Sequence, residues 1–345
     1  MSQKLKPAPA GTAAGTIAAP VAEPRRALQP ARYATVGALV LMVVVFSILK
    51  PGDFATWDNW RSILSQGALL AIIAGGLTLC LIQWDFDLSI GAMATLGGLT
   101  AALLVRHGWA LPLAIVATVA LGCLVGLVNG IVVVRFRVSA FIGTLAMMSI
   151  LGGVGLWWTG GTPVPITDMA FQRLAFRQVA GVPLPVIVAI VWYLVLWVVL
   201  ERGKLGRKLY AVGSNREAAR LAGLRVPRIR ILVFTVCAAA AAAAGVLLAS
   251  TLQGGYQGAG DAFLLDAYAA VFLGAVTLRI GKFDIFGTAV GILILAVMTN
   301  GLNLLALPTY LISIIKGVIL IVGVAAAAGA TRGGRTSGGG GGLGG

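Results

Sequence analysis

The chain has 345 residues, 59% of them hydrophobic and only 11% charged, with a formal net charge of +15. A soluble domain carries about 25% charged residues, so this chain lacks the charge to solvate a water-facing surface, and its basic excess does not indicate nucleic acid. The apolar runs approach the roughly 20 residues that cross a bilayer as helix. They lack the short alternating segments of a β-barrel, so the fold class is an all-α polytopic membrane protein.

In chain order, residues 1–32 are rich in Pro, Ala, Gly and Thr without hydrophobic periodicity and read as a disordered cytoplasmic tail. A membrane domain follows over 33–328. Its apolar runs predict ten spans, at 33–49, 66–83, 88–105, 110–134, 140–158, 184–200, 231–252, 266–280, 285–302 and 308–328. The first lies too deep in the chain, without a small-residue cleavage site, to be an ordinary signal peptide. Residues 329–345 form a glycine-rich cytoplasmic tail. With both termini cytoplasmic, 20 of the 26 basic residues fall on the cytoplasmic side, nine of them in the loop 201–230. Only Lys50, Arg61, Arg106, Arg173 and Arg177 fall outside, and Lys316 lies within the last span. That asymmetry is the positive-inside pattern of a multi-pass inner (plasma) membrane protein.

Small residues pattern the spans. Gly122, Gly126 and Gly130 recur every four residues, and Ala238 to Ala244 are all alanine, the composition that lets membrane helices approach closely. Cys80, Cys123 and Cys237 all lie in apolar runs and suggest no disulfide framework, and His107 has no ligand partners nearby, so no metal site, cofactor or catalytic constellation is expected. Gly203-Lys204 and Gly281-Lys282 lack the spacing and the Ser or Thr of a phosphate loop. Any ATP chemistry must come from another chain.

The loop contains Ser214-Asn215-Arg216-Glu217, which reads as a capping box with Ser214 and Glu217 as reciprocal caps. Gly223 is placed to end that short helix, and Pro227 to discourage further helix. Its arginines could rest on anionic lipid headgroups, or the capped helix could dock in a groove on a cytoplasmic partner. At the break after the second span stand Asp85, Asp87 and Ser89, with no basic residue nearby in sequence. Asp87 could cap the third span, or the segment could be a broken helix lining a path. Asn129, Asn300 and Asn303 could bond between helices or contact substrate. Trp157 and Trp158 fit an interfacial aromatic belt.

Beyond these local readings, "AVGSNREAARLAGLRVPRIRILVFTVCAAAAAAAGVLLAS" resembles the coupling loop of permease subunits of the monosaccharide-importing ABC transporter family. "FDLSIGAMATLGG" (86–98), "LDAYAAVFLGAVTL" (265–278) and "FGTAVGILILAVMTNGLNLL" (286–305) match in the same order, so the resemblance covers nearly all of 35–325. It implies a cytoplasmic ABC ATPase subunit docking at Ser214, Asn215, Glu217, Ala218, Ala219 and Gly223. It also implies a periplasmic sugar-binding protein meeting segments 159–183 and 253–265, and a second permease chain, identical or paralogous. The chain departs from the family where a Gly-Gly pair usually precedes Ile-Asp-Leu-Ser, reading instead Gln83-Trp84-Asp85-Phe86-Asp87-Leu88-Ser89, and at "RIGKFD" (279–284). The expected function is alternating-access import of a monosaccharide, with a non-sugar substrate (nucleoside, polyol or branched-chain amino acid) as one alternative. The other is an ion-coupled secondary transporter, for which Asp87, Asp266 and Lys316 are the candidate ionisable groups.

Overall fold

The computed structural model describes residues 31–277 and 281–336. The predicted N-terminal tail up to residue 30, the last nine glycine-rich residues and Arg279 lie outside the described residues. A helix covers each of the ten apolar runs: α1 (Ala31–Leu49), α2 (Trp57–Ile82), α3 (Ile90–Arg106), α4 (Leu111–Arg135), α5 (Ala140–Thr159), α7 (Leu184–Trp197), α10 (Val226–Thr251), α11 (Asp261–Ala275), α12 (Ile285–Leu304) and α13 (Thr309–Thr336). Short helices α6 (Met169–Leu174), α8 (Lys204–Ser214) and α9 (Arg216–Leu221) lie in the connections. Among the described residues, six helices are long and apolar enough to cross a membrane: α2, α4, α5, α7 with its continuation to Arg202, α10 and α12. α1, α3 and α13 contribute shorter apolar stretches.

Several boundaries differ from the sequence reading. α2 starts nine residues before the predicted span, because Thr56 caps it and its first turns carry Asp58, Asn59, Arg61 and Ser62, which interrupt the apolar run. α10 starts at Val226 with Pro227 in its first turn. The proline therefore opens this helix, where its missing N–H costs nothing, and is not a stop signal. α13 continues through 329–336, which the sequence placed in the flexible tail.

α10 is the central helix, packed against α2, α3 and α4. The glycine stripe of α4 faces it. A Cβ on Gly122 would stand 2.8 Å from the carbonyl oxygen of Ala238, and one on Gly130 would stand 2.7 Å from the Cα of Ile231. Backbone-to-backbone contact of this kind holds helices together where lipid supplies no hydrophobic gain. The faces of α4, α5 and α7 that point away from α10 carry exposed Leu, Ile, Val and Trp, including Trp157 and Trp158.

The two ends of the bundle are built differently. At one end, after α10, the chain folds back on the bundle. β4 (Gly254–Gly255) pairs antiparallel with β1 (Val164–Pro165), Gly255 rests on Leu99, and the Gly260 amide donates to Thr95 Oγ1 at 2.9 Å. α11 therefore begins beside the first turns of α3, after the chain has descended about 10 Å along that helix. At the other end, α2 stops at Ile82 and the chain turns within the protein before α3 starts.

Candidate functional site

The loop between α7 and α10 is ordered by its hydrophobic spacing and its caps. α7 runs on through a wider turn to Arg202, and α8 buries Gly206, Leu209 and Val212 while Lys204, Arg207 and Lys208 face outward. Gly213 lies directly on the carbonyl of Ile82, which fixes α8 beneath the end of α2.

α9 is capped, but not by the predicted box. Asn215 is the N-cap, its extended backbone placing Oδ1 to accept the Ala218 amide at 3.0 Å. Ser214 instead ends α8 and donates to the Tyr210 carbonyl at 2.9 Å. Glu217 turns forward to Arg220, which donates through Nε at 3.1 Å. That neighbouring guanidinium holds the Glu217 carboxyl below the usual glutamate range. The C-terminal signal is as expected: Gly223 has φ +80°, its amide reaches Arg220 O and that of Leu224 reaches Ala219 O, both at 3.0 Å. Paired bonds of this kind form a Schellman end. Of the six residues expected to meet a partner, Ser214, Asn215, Glu217, Ala218 and Gly223 are exposed. Ala219 is buried against the bundle, since it lies on the inner face of a helix only six residues long. Leu221, which the sequence did not single out, is 76% exposed beside them.

The break 83–89 lies above this helix. α2 also ends in a Schellman pair, with Trp84 N bonded to Leu81 O at 2.9 Å and Asp85 N to Cys80 O at 3.0 Å. Trp84 therefore occupies the left-handed position, at φ +57°, where glycine carries no steric penalty and other residues pay about 1–2 kcal/mol. Its ring is held edge-on against Phe283, with centroids 5.4 Å apart. Phe283 contacts Phe272, Phe272 stacks on Tyr268, and Tyr268 stacks on Phe86. Aromatic rings thus wall the break on the α11 side.

Asp85, without a basic neighbour in sequence, has two in space. Arg230 grips it bidentately, Nε to Oδ2 at 2.8 Å and Nη2 to Oδ1 at 2.6 Å. Arg216 donates to the same Oδ1 at 3.0 Å and to the Gln83 carbonyl at 2.6 Å. The carboxylate is 4% exposed, against 15% for Arg230 and 42% for Arg216. The first residue of α9 is thereby bonded to the end of α2, and the first turns of α10 share the same anion. This cluster borders a cleft of about 850 Å³ between the break, the α4–α5 turn and α9, into which Arg137 and Arg220 also project.

Asp87 is fully buried and sits deeper. Its Oδ1 accepts the Ser89 amide at 2.9 Å and the Ser89 hydroxyl at 2.6 Å, and Asn129 donates to Ser89 Oγ at 2.9 Å. Ser89 is itself the N-cap residue of α3, and no side chain caps that helix. The predicted interfacial cap is thus an internal bond between Asp87 and Ser89. Thr144 of α5 fixes the rest of the break, accepting the Leu88 amide at 3.0 Å and donating to Phe86 O. Of the six predicted path residues, Asp87, Ser89 and Asn129 are therefore bonded to one another, while Asp85, in the same break, belongs to the separate cluster with Arg216 and Arg230. Asn300 lies apart, in a reciprocal amide pair with Asn59 at 3.0 and 2.9 Å. Asn303 is exposed one turn beyond it.

The structure also joins groups the sequence left separate. Lys316 pairs with Asp266 at 2.7 Å, on a pocket of about 240 Å³ that Gln66, Thr251 and Thr299 also line. Cys80, Asp87 and Cys237 converge in the buried core. Segment 159–183 packs on 250–255: Ser250 Oγ accepts the Ala175 amide and donates to Phe171 O, both at 2.8 Å.

Comparison with known proteins places this geometry. Residues 59–324 match the family described as branched-chain amino acid transport system / permease component. The ribose import permease protein RbsC of Escherichia coli strain K12 is 39% identical over 291 residues, covering 83% of this chain and 90% of that protein. RbsC of Bacillus subtilis strain 168 is 33% identical over 288 residues, covering 83% and 89%. The L-arabinose transport system permease protein AraH of Escherichia coli strain K12 is 33% identical over 291 residues, covering 84% and 88%. No solved structure matches the chain.

Proposed function

The chain belongs to the permease-component family of ABC importers and is a multi-pass inner-membrane protein, and on that premise we propose that it passes a monosaccharide of the ribose or arabinose class through the membrane by alternating access. Import is driven by a separate ATPase docked on α9 and fed by a sugar-binding protein at the β1–β4 end. A second permease chain completes the pathway. The ten helices over the apolar runs all cross the membrane, with both termini and α9 on the cytoplasmic side, as the distribution of basic residues requires.

One observation carries the coupling mechanism: Arg216, the first residue of α9, is bonded to Asp85 and Gln83 at the break. The exposed face of α9, with Glu217, Ala218 and Leu221, offers charge and apolar surface to the ATPase. When ATP binding draws the ATPase subunits together, α9 moves with them. Arg216 and Arg230 hand that motion to Asp85. The break transmits it to α3 and α4 through the Asp87–Ser89–Asn129 bonds. The short backbone contacts between α4 and α10 make these helices move as one body, since close-packed interfaces shift between discrete arrangements.

A secondary transporter fits less well. Of its candidate ionisable groups, Asp266 and Lys316 neutralise each other. In proteoliposomes containing this chain, its ATPase and a sugar-binding protein, ribose or arabinose uptake should require ATP and persist when ionophores collapse the proton and sodium gradients. Uptake that stops with the gradients at constant ATP rejects the reading.

A further inference from the structure

Cys80 near the end of α2, Asp87 in the break and Cys237 in α10 are far apart in sequence, yet their two sulfurs and a carboxylate oxygen lie within 4.8 Å of one another, fully buried. Asp87 Oδ1 is occupied by Ser89, while Oδ2 has no N–H or O–H partner among the described residues. The Tyr268 hydroxyl borders the same three groups and makes no bond to that oxygen. The guanidinium groups bonded at the break, of Arg216 and Arg230, are engaged by Asp85. Buried carboxylates are ordinarily paired, fully hydrogen-bonded or bound to a metal; of the donors beside this one, the thiols are weak and the Tyr268 hydroxyl makes no bond to Oδ2.

We propose that Cys80, Asp87 and Cys237 form a binding site for a thiophilic divalent cation of the Zn²⁺ class. Two sulfurs and one oxygen supply three of the four donors of a tetrahedral site for such ions, the fourth position taking a water, with Zn–S of about 2.3 Å and thus sulfurs about 3.8 Å apart. The groups need to close by no more than about 1 Å. The charge balances: the ion displaces one proton from each thiol, both protons leave to solvent, and the buried set of two thiolates, carboxylate and dication carries the single negative charge that Asp87 alone carried before. The orphaned oxygen gains a partner without new buried charge. A bound ion ties α2, the break and α10 together, the elements that import must move, so it holds the permease in one conformation.

The test uses the full chain purified in detergent with Cys123, the remaining thiol, replaced by Ala. Titration with Co²⁺ should give thiolate-to-metal charge-transfer absorption saturating at one ion per chain. The band should vanish in Cys80→Ala and in Cys237→Ala, and the affinity should fall at least about tenfold in Asp87→Asn, one missing ligand bond being worth 1.4 kcal/mol or more. Absence of the band, or its survival in both cysteine variants, overturns the site. A second arm needs no variant at the site: Zn²⁺ should slow alkylation of Cys80 and Cys237, but not of Cys123, in the unmutated chain. Equal rates with and without the ion overturn the proposal. Neither arm depends on which sugar is carried or on any ATPase.

Discussion

Arg216 and Arg220 stand one turn apart on α9, in a stretch that reads in sequence as a single run of positive charge, and they do different work. Arg220 pairs with Glu217 on its own helix, with both side chains about two-thirds exposed. Arg216 leaves its helix for a carboxylate that is almost fully buried at the end of α2. A surface pair on one helix contributes little, because water competes for both charges and salt screens them. A buried carboxylate shared by two guanidinium groups cannot be removed cheaply, because its loss leaves the more buried arginine's charge stranded out of water. The position of the acid, and not the number of arginines, decides which charge belongs to the machinery.

Asp85→Asn gives the largest effect, because it leaves Arg230 without its anion at 15% exposure. Loss of one partner of a buried pair costs about 3–5 kcal/mol, so denaturant unfolding of the detergent-solubilised protein should show a destabilisation of that order. Arg216→Gln should cost less, about 1 kcal/mol, since Arg230 still neutralises Asp85 and Arg216 is already partly solvated. If Arg216→Gln destabilises as much as Asp85→Asn, the two arginines do not share the acid as the geometry shows.

Glu217→Gln marks the other end of the scale, with no change in unfolding expected. Because Arg220 lowers the carboxyl's folded pKa, the pair's contribution is complete above the ordinary glutamate range and is lost only as pH falls through the lowered value. The affinity of α9 for the ATPase in a pull-down should therefore be flat across neutral pH and decline only under acid conditions. A decline between pH 6 and 8 would assign the contact to another group.

The bundle was legible because its signals are long: apolar runs gave every major helix, and the four-residue glycine period named the face of α4 that meets α10. The α9 stop was equally readable, since few residues besides glycine tolerate φ +80°. The cap was misread because Ser214 and Asn215 both suit an N-cap, and only the backbone decides which is the first extended residue. Pro227 fits either side of a helix boundary and says nothing by itself about which. Asp85 carries a signal in sequence: an acid in an oily stretch with no local counter-charge must find one elsewhere, and Arg230 lies in the first turns of a long helix on the same side. The Cys80–Asp87–Cys237 cluster had no such signal, since each cysteine looks like an ordinary apolar residue until the fold brings them together.

Coupling rests on motion passing from α9 through Asp85 to the break, and the most direct test is the sugar imported per ATP hydrolysed by Asp85→Asn in proteoliposomes. With the exposed face of α9 unchanged, ATP hydrolysis should continue. The import ratio should fall by about tenfold or more, equivalent to losing at least 1.4 kcal/mol of coupling. A variant that hydrolyses ATP and imports sugar at the wild-type ratio would show that the Asp85 bridge holds the fold together but does not transmit the work.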